Sequence, residues 1–466
     1  MRTDRRQELP IQLVQAEPLL PAEPCRRVAS VHLQTRTLSQ GIPQEICRRS
    51  RPAGACHRRQ CPRLGPAFPA PRPDEQVRQS GSSDASTLDA HDSLPAERFV
   101  AERNPHFHRV DTKGQQLPYI DRIVMEVVDN KLVPVKTGAG ETDLQSRGLS
   151  FQDFTFLKEN EERSGLKVNL WKEARGAHLA LYPNLNAADP VWRELFRDHR
   201  FREALSIALD RMAISQYLYF GLATPSNNTI LAESPLHTAE IGEACLGYDV
   251  DRANALLDEI GLSKRNDEGL RQLADGRSLE FIVETAGEDS EQTDVLELVR
   301  DYWAALGIRI HTKPSEREVL RNRIFAGEAL MSIWYGLENG VPTAEMSPKE
   351  FVPVNQYDQP QWPKWGQYFE TKGSAGEAPD LPEAQRLMEL FGQWEAATDK
   401  DARKTAWNEI LQIYSSQCYT IGLVANVLQP VASRMTLRNL PEEAVYNWEP
   451  HGQIGLYRPD TFWFAD

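Results

Sequence analysis

The stretch of this chain best suited to holding a ligand is WYGLENG, residues 334–340. Two adjacent aromatic rings, Trp334 and Tyr335, are followed by a carboxylate at Glu338 and an amide at Asn339. Aromatic faces attract cations, and carboxylate and amide oxygens accept hydrogen bonds, so the set suits a cationic or amide-bearing ligand. The pattern is equally consistent with a buried core tryptophan beside a solvated glutamate.

The sequence lacks the spacings that common enzyme chemistries need. It has no G-x-S-x-G elbow, no H-E-x-x-H pair, no Walker loop and no G-x-G-x-x-G after a predicted strand. The run TGAGE, residues 137–141, is too short to cradle a phosphate. We therefore expect no catalytic residue and no cofactor, and an α/β enzyme is kept only as an alternative.

Two further chemical candidates lie near the N-terminus. Cys47, Cys56, His57 and Cys61 are metal-ligand types, but spacings of nine and five residues do not match the paired C-x-x-C of a structural zinc site, so no metal is expected. The Arg pairs in CRRV, CRRS and HRRQ could form an RNA-binding arm, yet no aromatic residues are interleaved to stack on bases.

Predicted strands and helices place WYGLENG at one edge of a sheet. The chain runs as strand SLEFIVETAG, helix DSEQTDVLELVRDYWAALG, strand IRIHTKP, helix SEREVLRNRIFAG and strand ALMSIWYG. This β-α-β-α-β order predicts a parallel sheet. Ligands of open α/β sheets sit beyond the carboxyl ends of the strands, which here are residues 285–288 and 334–340.

Other segments predict elements around this sheet. Alternating apolar residues in 123–127 and the run LKVNLW indicate strands, and 200–209 indicates a helix followed by a second that Asp210 caps. Two more helices are predicted over 382–398 and 401–416. The run QWPKWGQYFE is predicted to be a loop with exposed aromatic rings that make contacts.

The composition changes near residue 100. The chain of 466 residues has a net charge of −14 and a pI of about 5.3, which argues against nucleic-acid binding. Its first hundred residues hold 15 Arg, 12 Pro and four of the six Cys, but no Lys, Trp or Tyr. So few large apolar groups cannot offset the entropy of ordering. Residues 1–98 are therefore predicted to be disordered, as a tail or as a stretch translated from a shifted frame.

The sequence offers little on compartment. No apolar run approaches the roughly 18 residues of a membrane-spanning helix. No secretory signal with an apolar core is visible at the N-terminus. Cys245 and Cys418 lie in the part expected to fold, and their spacing does not decide whether they pair.

Several segments, taken in order, resemble a known family of receptors. NPHFHRVDTKGQQLPYIDRI, VKTGAGETDLQSRGL, DHRFREALSIALDRMAI, YDVDRANALLDEIGL and WGQYFET, with the ending YRPDTFWF, are similar to the peptide-type solute-binding proteins of bacterial ABC importers, extracellular solute-binding family 5. The resemblance covers residues 99–466 without a large gap. It implies an α/β, two-lobed periplasmic binding protein type II-like fold that does no covalent chemistry.

The resemblance also implies how the chain is divided. Residues 99–182 would form part of the first lobe, 183–420 the second, and 421–466 the return to the first. Family members carry a longer stretch before the segment like Asn104–Val128, so the first lobe is expected to be incomplete. Weak binding and marginal stability are then expected, and a non-functional remnant is the main alternative to a working receptor.

The implied binding residues lie in two stretches. Family members place a Trp and an acidic residue against the amino end of the ligand; here Trp334 matches, and Glu338 or Asn339 stands in place of the usual Asp. ARGAHLALYPN resembles the strand that contacts peptide backbone, which adds Gly176 and His178, although a histidine there is more often packed than in contact. The implied partners are a peptide or similar small solute and an ABC permease at the inner membrane. The receptor itself would be a periplasmic monomer.

Overall fold

The computed structural model describes residues 28–33, 88–90, 97–288, 290–448 and 452–465. Its strands are β1 (Val28–Leu33), β2 (Leu88–Ala90), β3 (Arg98–Arg103), β4 (Arg122–Val127), β5 (Leu144–Gln145), β6 (Leu166–Glu173), β7 (Leu179–Pro183), β8 (Thr224–Pro225), β9 (Glu280–Thr285), β10 (Arg309–Pro314), β11 (Met331–Tyr335), β12 (Ile421–Gly422), β13 (Val424–Ala425), β14 (Leu428–Arg434), β15 (Leu437–Arg438), β16 (Val445–Tyr446) and β17 (Trp463–Phe464). Its helices are α1 (Leu132–Gly138), α2 (Phe154–Glu159), α3 (Glu161–Ser164), α4 (Pro190–Arg197), α5 (His199–Ile207), α6 (Arg211–Tyr219), α7 (Ala239–Glu243), α8 (Val250–Glu259), α9 (Glu291–Ala305), α10 (Arg317–Ala326), α11 (Pro363–Glu370), α12 (Pro382–Ala396) and α13 (Lys400–Gln417).

A five-stranded sheet forms the centre of the larger lobe. Its strand order is β10-β9-β11-β7-β12. Strands β9, β10 and β11 run parallel, with α9 and α10 between them, so the predicted β-α-β-α-β order is confirmed. Strand β7 runs antiparallel to both β11 and β12. The sheet is therefore mixed, and its parallel part is the part the sequence predicts.

Helices cover this sheet because each presents an apolar stripe to it. On α9, Val295, Val299 and Trp303 recur at spacings of four and are fully buried. The indole N–H of Trp303 donates to the carbonyl of Leu205 at 2.9 Å, so the largest side chain of the stripe is also hydrogen-bonded. Asp210 caps α6 as predicted, accepting from the backbone N–H of Ala213 at 2.9 Å.

The run QWPKWGQYFE forms a helix, α11, and the prediction of a contact loop is wrong for its tryptophans. Pro363 occupies the first helical turn, where its missing N–H costs nothing. Trp362 and Trp365 are fully buried and stack with ring centroids 6.2 Å apart. They belong to a second apolar core with α12 and α13.

The smaller lobe is built on a four-stranded sheet of order β16-β6-β14-β5. Strand β6 pairs antiparallel with β14 along seven residues, and Trp171 of β6 is fully buried. A separate four-stranded sheet of order β1-β4-β3-β2 lies at the start of the described chain. Strands β4 and β6 match the predicted strands at 123–127 and LKVNLW.

The chain crosses between the lobes twice, at residues 174–178 and 423–427. The first crossing joins β6 to β7, and the second joins β12 to β14 by way of β13. Because β7 and β12 pair with each other in the larger sheet, the boundary predicted after residue 182 falls inside β7. The predicted return at residue 421 likewise falls on β12. Both strands belong to the five-stranded sheet, with β12 at its edge and β7 between β11 and β12.

Two short strands lie inside the segment predicted to be disordered. Strand β1 pairs in parallel with β4, and β2 pairs antiparallel with β3. The run VASVHL of β1 has β-branched and apolar residues that suit a strand, and the disorder of residues 1–98 stays a prediction. The other residues before Glu97, with the four candidate zinc ligands, lie outside the described residues.

Two negative findings apply to the described residues. Nowhere among them do three or more His, Cys, Asp or Glu side chains gather in a way that could hold a metal ion. No helix in this part of the chain has both the length and the apolar character needed to cross a membrane.

Candidate ligand-binding cleft

A cavity of about 230 Å³ lies at the carboxyl end of β11. Its walls come from β11 and the residues after it, one face of α10, the 3-10 turn at Lys349–Phe351 and the loop at 355–361. Trp448, which follows β16 of the smaller lobe, lines its other side. The cavity, called the cleft pocket, therefore lies between the lobes. It also lies beyond the carboxyl end of a strand, which is where open α/β sheets bind ligands.

Trp334 and Tyr335 line the cleft pocket as half-buried rings that meet edge to face, with centroids 5.7 Å apart. The guanidinium of Arg317 lies 4.9 Å from the centroid of Trp334, and that of Arg175 lies 4.4 Å from the centroid of Tyr335. Each ring thus already has a protein cation on one face. These two arginines hold the rings in place. They also occupy part of the aromatic surface that the sequence suggests for a cationic ligand.

Glu338 also lines the pocket, and it forms an ion pair with Arg175 (Oε2 to Nη2, 3.5 Å). The side chain of Asn339 instead stabilises its own loop. Its amide donates to the sulfur of Met346 at 3.4 Å, and its Oδ1 accepts from the N–H of Val341 at 3.1 Å. Of the two residues that could replace the usual Asp, Glu338 is the one at the pocket.

Sequence reasoning missed a second carboxylate in the pocket wall, Glu350. Its two oxygens accept the backbone N–H groups of Glu338 at 2.9 Å and Asn339 at 3.2 Å. Burial raises the pKa of Glu350 to about 7; the negative charge of Glu338 adds to this, and the two hydrogen bonds oppose it. Glu350 therefore gains or loses its proton near neutral pH, and no spacing rule in the sequence links it to Glu338.

Two more lining residues escaped the sequence. Gln361 is almost fully buried, and its Oε1 has no hydrogen-bond partner among the described residues. Trp448 is half-exposed and comes from the far end of the chain. An unpaired acceptor in a pocket wall favours a ligand that brings an N–H or O–H group. Neither residue belongs to a motif, so only the fold reveals them.

Gly176 is a close-packing position at the first crossing. Its N–H donates to the carbonyl of Leu337 at 2.8 Å, and its carbonyl accepts from Ser226 Oγ at 2.5 Å. A Cβ there would lie 2.6 Å from the carbonyl oxygen of Thr229 and 3.1 Å from Leu337 Cβ. The glycine thus lets the crossing pass against the residues that follow β11.

His178 is buried in the same crossing, between carboxylates from the two lobes. Its Nδ1 lies 2.7 Å from Glu173 Oε2, at the end of β6, and its Nε2 lies 3.2 Å from Glu291 Oε2, at the start of α9. The hydroxyl of Tyr219 donates to the other oxygen of Glu291 at 2.7 Å. Burial lowers the pKa of His178, but the two carboxylates outweigh it and raise the pKa to about 10. His178 is a charged link between the lobes.

The structure thus brings three of the six predicted site residues, Trp334, Tyr335 and Glu338, to the cleft pocket. Asn339, Gly176 and His178 lie behind it in supporting positions. Aromatic rings, two carboxylates and an unpaired amide oxygen can bind a polar ligand with donor groups. They form no nucleophile–base pair of the kind that covalent catalysis needs.

Comparison with known proteins identifies relatives of this fold. Residues 92–352 match the family model "Bacterial extracellular solute-binding proteins, family 5 Middle". The periplasmic alpha-galactoside-binding protein of Rhizobium meliloti (strain 1021) is 22% identical over 383 residues, which are 76% of this chain and 52% of that protein. The oligopeptide-binding protein AppA of Bacillus subtilis (strain 168) is 26% identical over 211 residues, 44% of this chain and 35% of that protein.

Solved structures agree on the fold. An oligopeptide-binding protein OppA superposes with a TM-score of 0.57 at 30% identity, covering 82% of this chain and 62% of that one. The periplasmic binding protein MelB of Agrobacterium fabrum C58, in complex with stachyose, gives 0.63 at 18% identity, covering 81% and 57%. The chain thus spans about half the length of the Rhizobium protein and less than two thirds of either structure. Since the family model matches more than half of its residues, the chain belongs to the bacterial extracellular solute-binding proteins of family 5.

Proposed function

We propose that the chain is the substrate-binding component of an ABC importer, which holds a peptide or a related small solute between its lobes and delivers it to a membrane permease. The observation that carries this proposal is the cleft pocket itself. It is lined by β11 of the larger lobe and by Trp448 of the smaller one, and two chain crossings join the lobes behind it. Such an arrangement can close on a ligand by rotation about the crossings.

The charges at the pocket favour a peptide as ligand. Glu338 and Glu350 place two carboxylates on one wall, and burial raises the pKa of Glu350 to about 7. A peptide amino terminus would favour the ionised form of Glu350, and peptide N–H groups would match the free oxygen of Gln361. The OppA and AppA relatives are named as oligopeptide-binding proteins.

An oligosaccharide is the second candidate ligand. Trp334, Tyr335 and Trp448 offer apolar faces, and Gln361 offers an acceptor for a hydroxyl. Two relatives carry sugars in their names, an alpha-galactoside and stachyose. The paired carboxylates are harder to explain for a neutral sugar, and for this reason we place the peptide first.

The size of the pocket indicates how binding proceeds. Its volume of about 230 Å³ is below the roughly 300–1,000 Å³ of sites that enclose a whole small ligand. It therefore receives one end or one side chain of the ligand, while the rest lies along the cleft. A ligand can favour the closed arrangement only by binding it more tightly than the open one.

Trp334→Ala tests the proposal. Thermal unfolding of the full chain is followed by fluorescence with a pool of di- to pentapeptides, with stachyose, and with neither. Peptides should raise the Tm of the unchanged chain, because a ligand that binds only the folded state stabilises it. Trp334→Ala should lose most of this rise, since central aromatic contacts contribute about 2 kcal/mol or more to binding.

The matched control is Trp463→Ala, which truncates a half-buried tryptophan of β17 that does not line the pocket. It should keep the ligand-dependent rise. A rise with stachyose alone would make the sugar the ligand. If neither ligand raises the Tm, the chain is better explained as a non-functional remnant of a receptor.

The compartment and the assembly state are part of the same proposal. Members of the family act outside the cytoplasm, so we place this chain in the periplasm, facing the permease of the inner membrane. We also propose a monomer, whose closed lobes present one surface to that permease. Sedimentation of the purified chain with and without peptide checks the assembly state, and a ligand-induced dimer would contradict it.

A further inference from the structure

Two cysteines far apart in the sequence meet in the larger lobe. Cys418 ends α13, and Cys245 lies between α7 and α8. The Sγ of Cys245 lies 3.8 Å from the carbonyl oxygen of Ser415, and the backbone N–H of Cys418 donates to that same oxygen at 3.2 Å. The neighbouring thiol is also the largest influence on the pKa of each cysteine.

The surroundings hold both cysteines in this position. Ser206 Oγ donates to the carbonyl of Cys245 at 2.7 Å, and the hydroxyl of the same serine lowers the pKa of the Cys418 thiol. The Sγ of Cys418 lies 3.8 Å from the carbonyl oxygen of Arg202. One serine of α5 therefore lies beside both cysteines, and the pair is set between α5 and α13.

Both cysteines adopt a backbone conformation that residues with a Cβ rarely use. The φ angles are 55° at Cys245 and 49° at Cys418. Glycine is the usual residue where a helix ends in this conformation, as α13 does at Cys418. The strain at both positions is consistent with a side chain that is needed there, since glycine would remove it.

The two thiols differ in exposure and in charge. Cys418 is buried, and Cys245 is partly exposed. The neighbouring Cys245 thiol and the nearby charges of Arg202 and Arg211 lower the pKa of Cys418, whereas the neighbouring Cys418 raises the pKa of Cys245. The buried sulfur is therefore the better nucleophile, and the exposed one is the point that an oxidant can reach.

We propose that Cys245 and Cys418 form an intramolecular disulfide when the chain meets a disulfide donor, such as glutathione disulfide or an oxidised thiol oxidoreductase. Cys245 loses its proton and attacks the donor disulfide, which forms a mixed disulfide and releases one donor thiol. The thiolate of Cys418 then attacks Cys245 Sγ and releases the second donor thiol. Two protein thiols are oxidised and one donor disulfide is reduced to two thiols, so atoms and electrons balance.

The bond would tie α13, which leads into the second crossing, to the segment before α8. This link joins parts of the larger lobe that are distant in sequence, and such cross-links restrict the unfolded chain most strongly. A periplasmic protein meets the oxidising conditions in which disulfides persist. The inference does not depend on which ligand the cleft pocket takes.

The test uses the full chain with Cys25, Cys47, Cys56 and Cys61 changed to Ser, so that only the two cysteines remain. The reduced chain is incubated with glutathione disulfide, and thiols are then titrated in denaturant. We expect two free thiols before oxidation and none after it. The Tm should rise by about 5 °C or more on oxidation and return on reduction. In Cys245→Ala, oxidation should leave the Tm unchanged.

A second measurement does not depend on variants folding. Trypsin digestion of the oxidised natural chain without reductant should give a cross-linked pair of fragments, residues 212–252 and 405–434, which separate on reduction. Free thiols at both positions after oxidation would overturn the proposal. So would a cross-link from either cysteine to a second chain or to an N-terminal cysteine, or glutathione retained on Cys245.

Discussion

At the scale of single residues, His178 is a buried cation that neutralises two buried carboxylates. An imidazolium between Glu173 and Glu291 satisfies two buried carboxylates at once. His178→Ala removes that cation and leaves both carboxylates without it. Breaking a buried ion pair in this way typically costs about 3 kcal/mol or more. We therefore expect a large drop in the free energy of unfolding, measured by urea denaturation at pH 6.

The pH dependence of the same variant gives a signed test. The pKa of His178 is raised, so its stabilisation is complete below about pH 6.5 and is lost as the pH rises toward about 10. The pKa values of Glu173 and Glu291 are lowered by the charge of His178, although burial opposes this, so their share is lost as the pH falls into the acid range. Between pH 6 and 10 the unchanged chain should lose stability that the variant never had.

His311→Ala is the matched control, because His311 is an exposed histidine that pairs with Glu280 at 2.5 Å. Exposed pairs contribute roughly 0–1 kcal/mol, so this variant should stay close to the unchanged chain. Equal losses in the two variants would show that the buried link between the lobes has no special role.

Glu350 governs the pH dependence of binding if the ligand is a peptide with a free amino group. Its pKa is raised to about 7, chiefly by burial, and a cation binds the ionised form better than the protonated one. Affinity should therefore rise as the pH goes from 6 to 8, and one proton should leave on binding at pH 6. Calorimetry in buffers of different ionisation enthalpy measures both effects.

Glu350→Gln should flatten this pH profile, and an N-acetylated peptide should show little dependence on Glu350 in the unchanged chain. The same slope in Glu350→Gln would place the titrating group elsewhere. Without ligand the sign is the reverse: the folded chain holds this proton more tightly than the unfolded chain, so the stability from Glu350 falls as the pH rises from about 4.5 to 7.

The site residues show how far sequence reasoning reaches at this scale. Trp334, Tyr335 and Glu338 were predictable, because they follow a strand whose position in a β-α-β-α-β unit can be deduced. The positions of Glu350, Gln361 and Trp448 were not predictable, since each residue lies in a turn or loop or in the other lobe. Asn339 was predicted from its chemistry but does not line the pocket, because its side chain makes hydrogen bonds within its own loop.

At the scale of elements, the first crossing depends on the absence of a side chain at Gly176. A methyl group there would lie 2.6 Å from the carbonyl oxygen of Thr229, which is backbone and cannot move alone. We expect Gly176→Ala to lower the free energy of unfolding by about 1–3 kcal/mol through overpacking. The measurement is denaturant unfolding at fixed pH.

Gly392→Ala serves as the control for this substitution. Gly392 lies inside α12 with no atom within 4 Å of its would-be Cβ, so alanine should stabilise the chain by about 0.5–1 kcal/mol. The opposite signs of the two changes make the test sharp. A neutral Gly176→Ala would show that the crossing tolerates more movement than its packing suggests.

The elements themselves were largely predictable wherever a hydrophobic period repeats. Helix α9 and strands β9, β10 and β11 follow from that period. Helix α11 was not predicted, because Pro363 and Gly366 indicate a turn. Proline is nevertheless common in the first turn of a helix, where Pro363 lies. The lobe boundary stays a prediction, and it falls within β7, whose place in the sheet depends on pairing with β11 and β12 rather than on a local pattern.

At the scale of the whole molecule, the two lobes differ in how much apolar surface supports them. Within the described residues, the core around the larger sheet contains 35 buried apolar residues, and that around α11, α12 and α13 contains 20. The clusters of the smaller lobe contain six, three and three. Local stability follows buried apolar contact, so the smaller lobe should open more easily than the larger one.

Hydrogen–deuterium exchange of the full chain tests this difference in stability. Amides of β6 and β14, which pair with each other in the smaller lobe, should exchange faster than those of β9 and β11 in the larger lobe. Added peptide should slow exchange in both crossings and around Trp448, because a ligand between the lobes opposes their opening. Equal protection of the two sheets would instead mean that His178 and its two carboxylates couple the lobes into one cooperative unit, and His178→Ala should then separate their exchange.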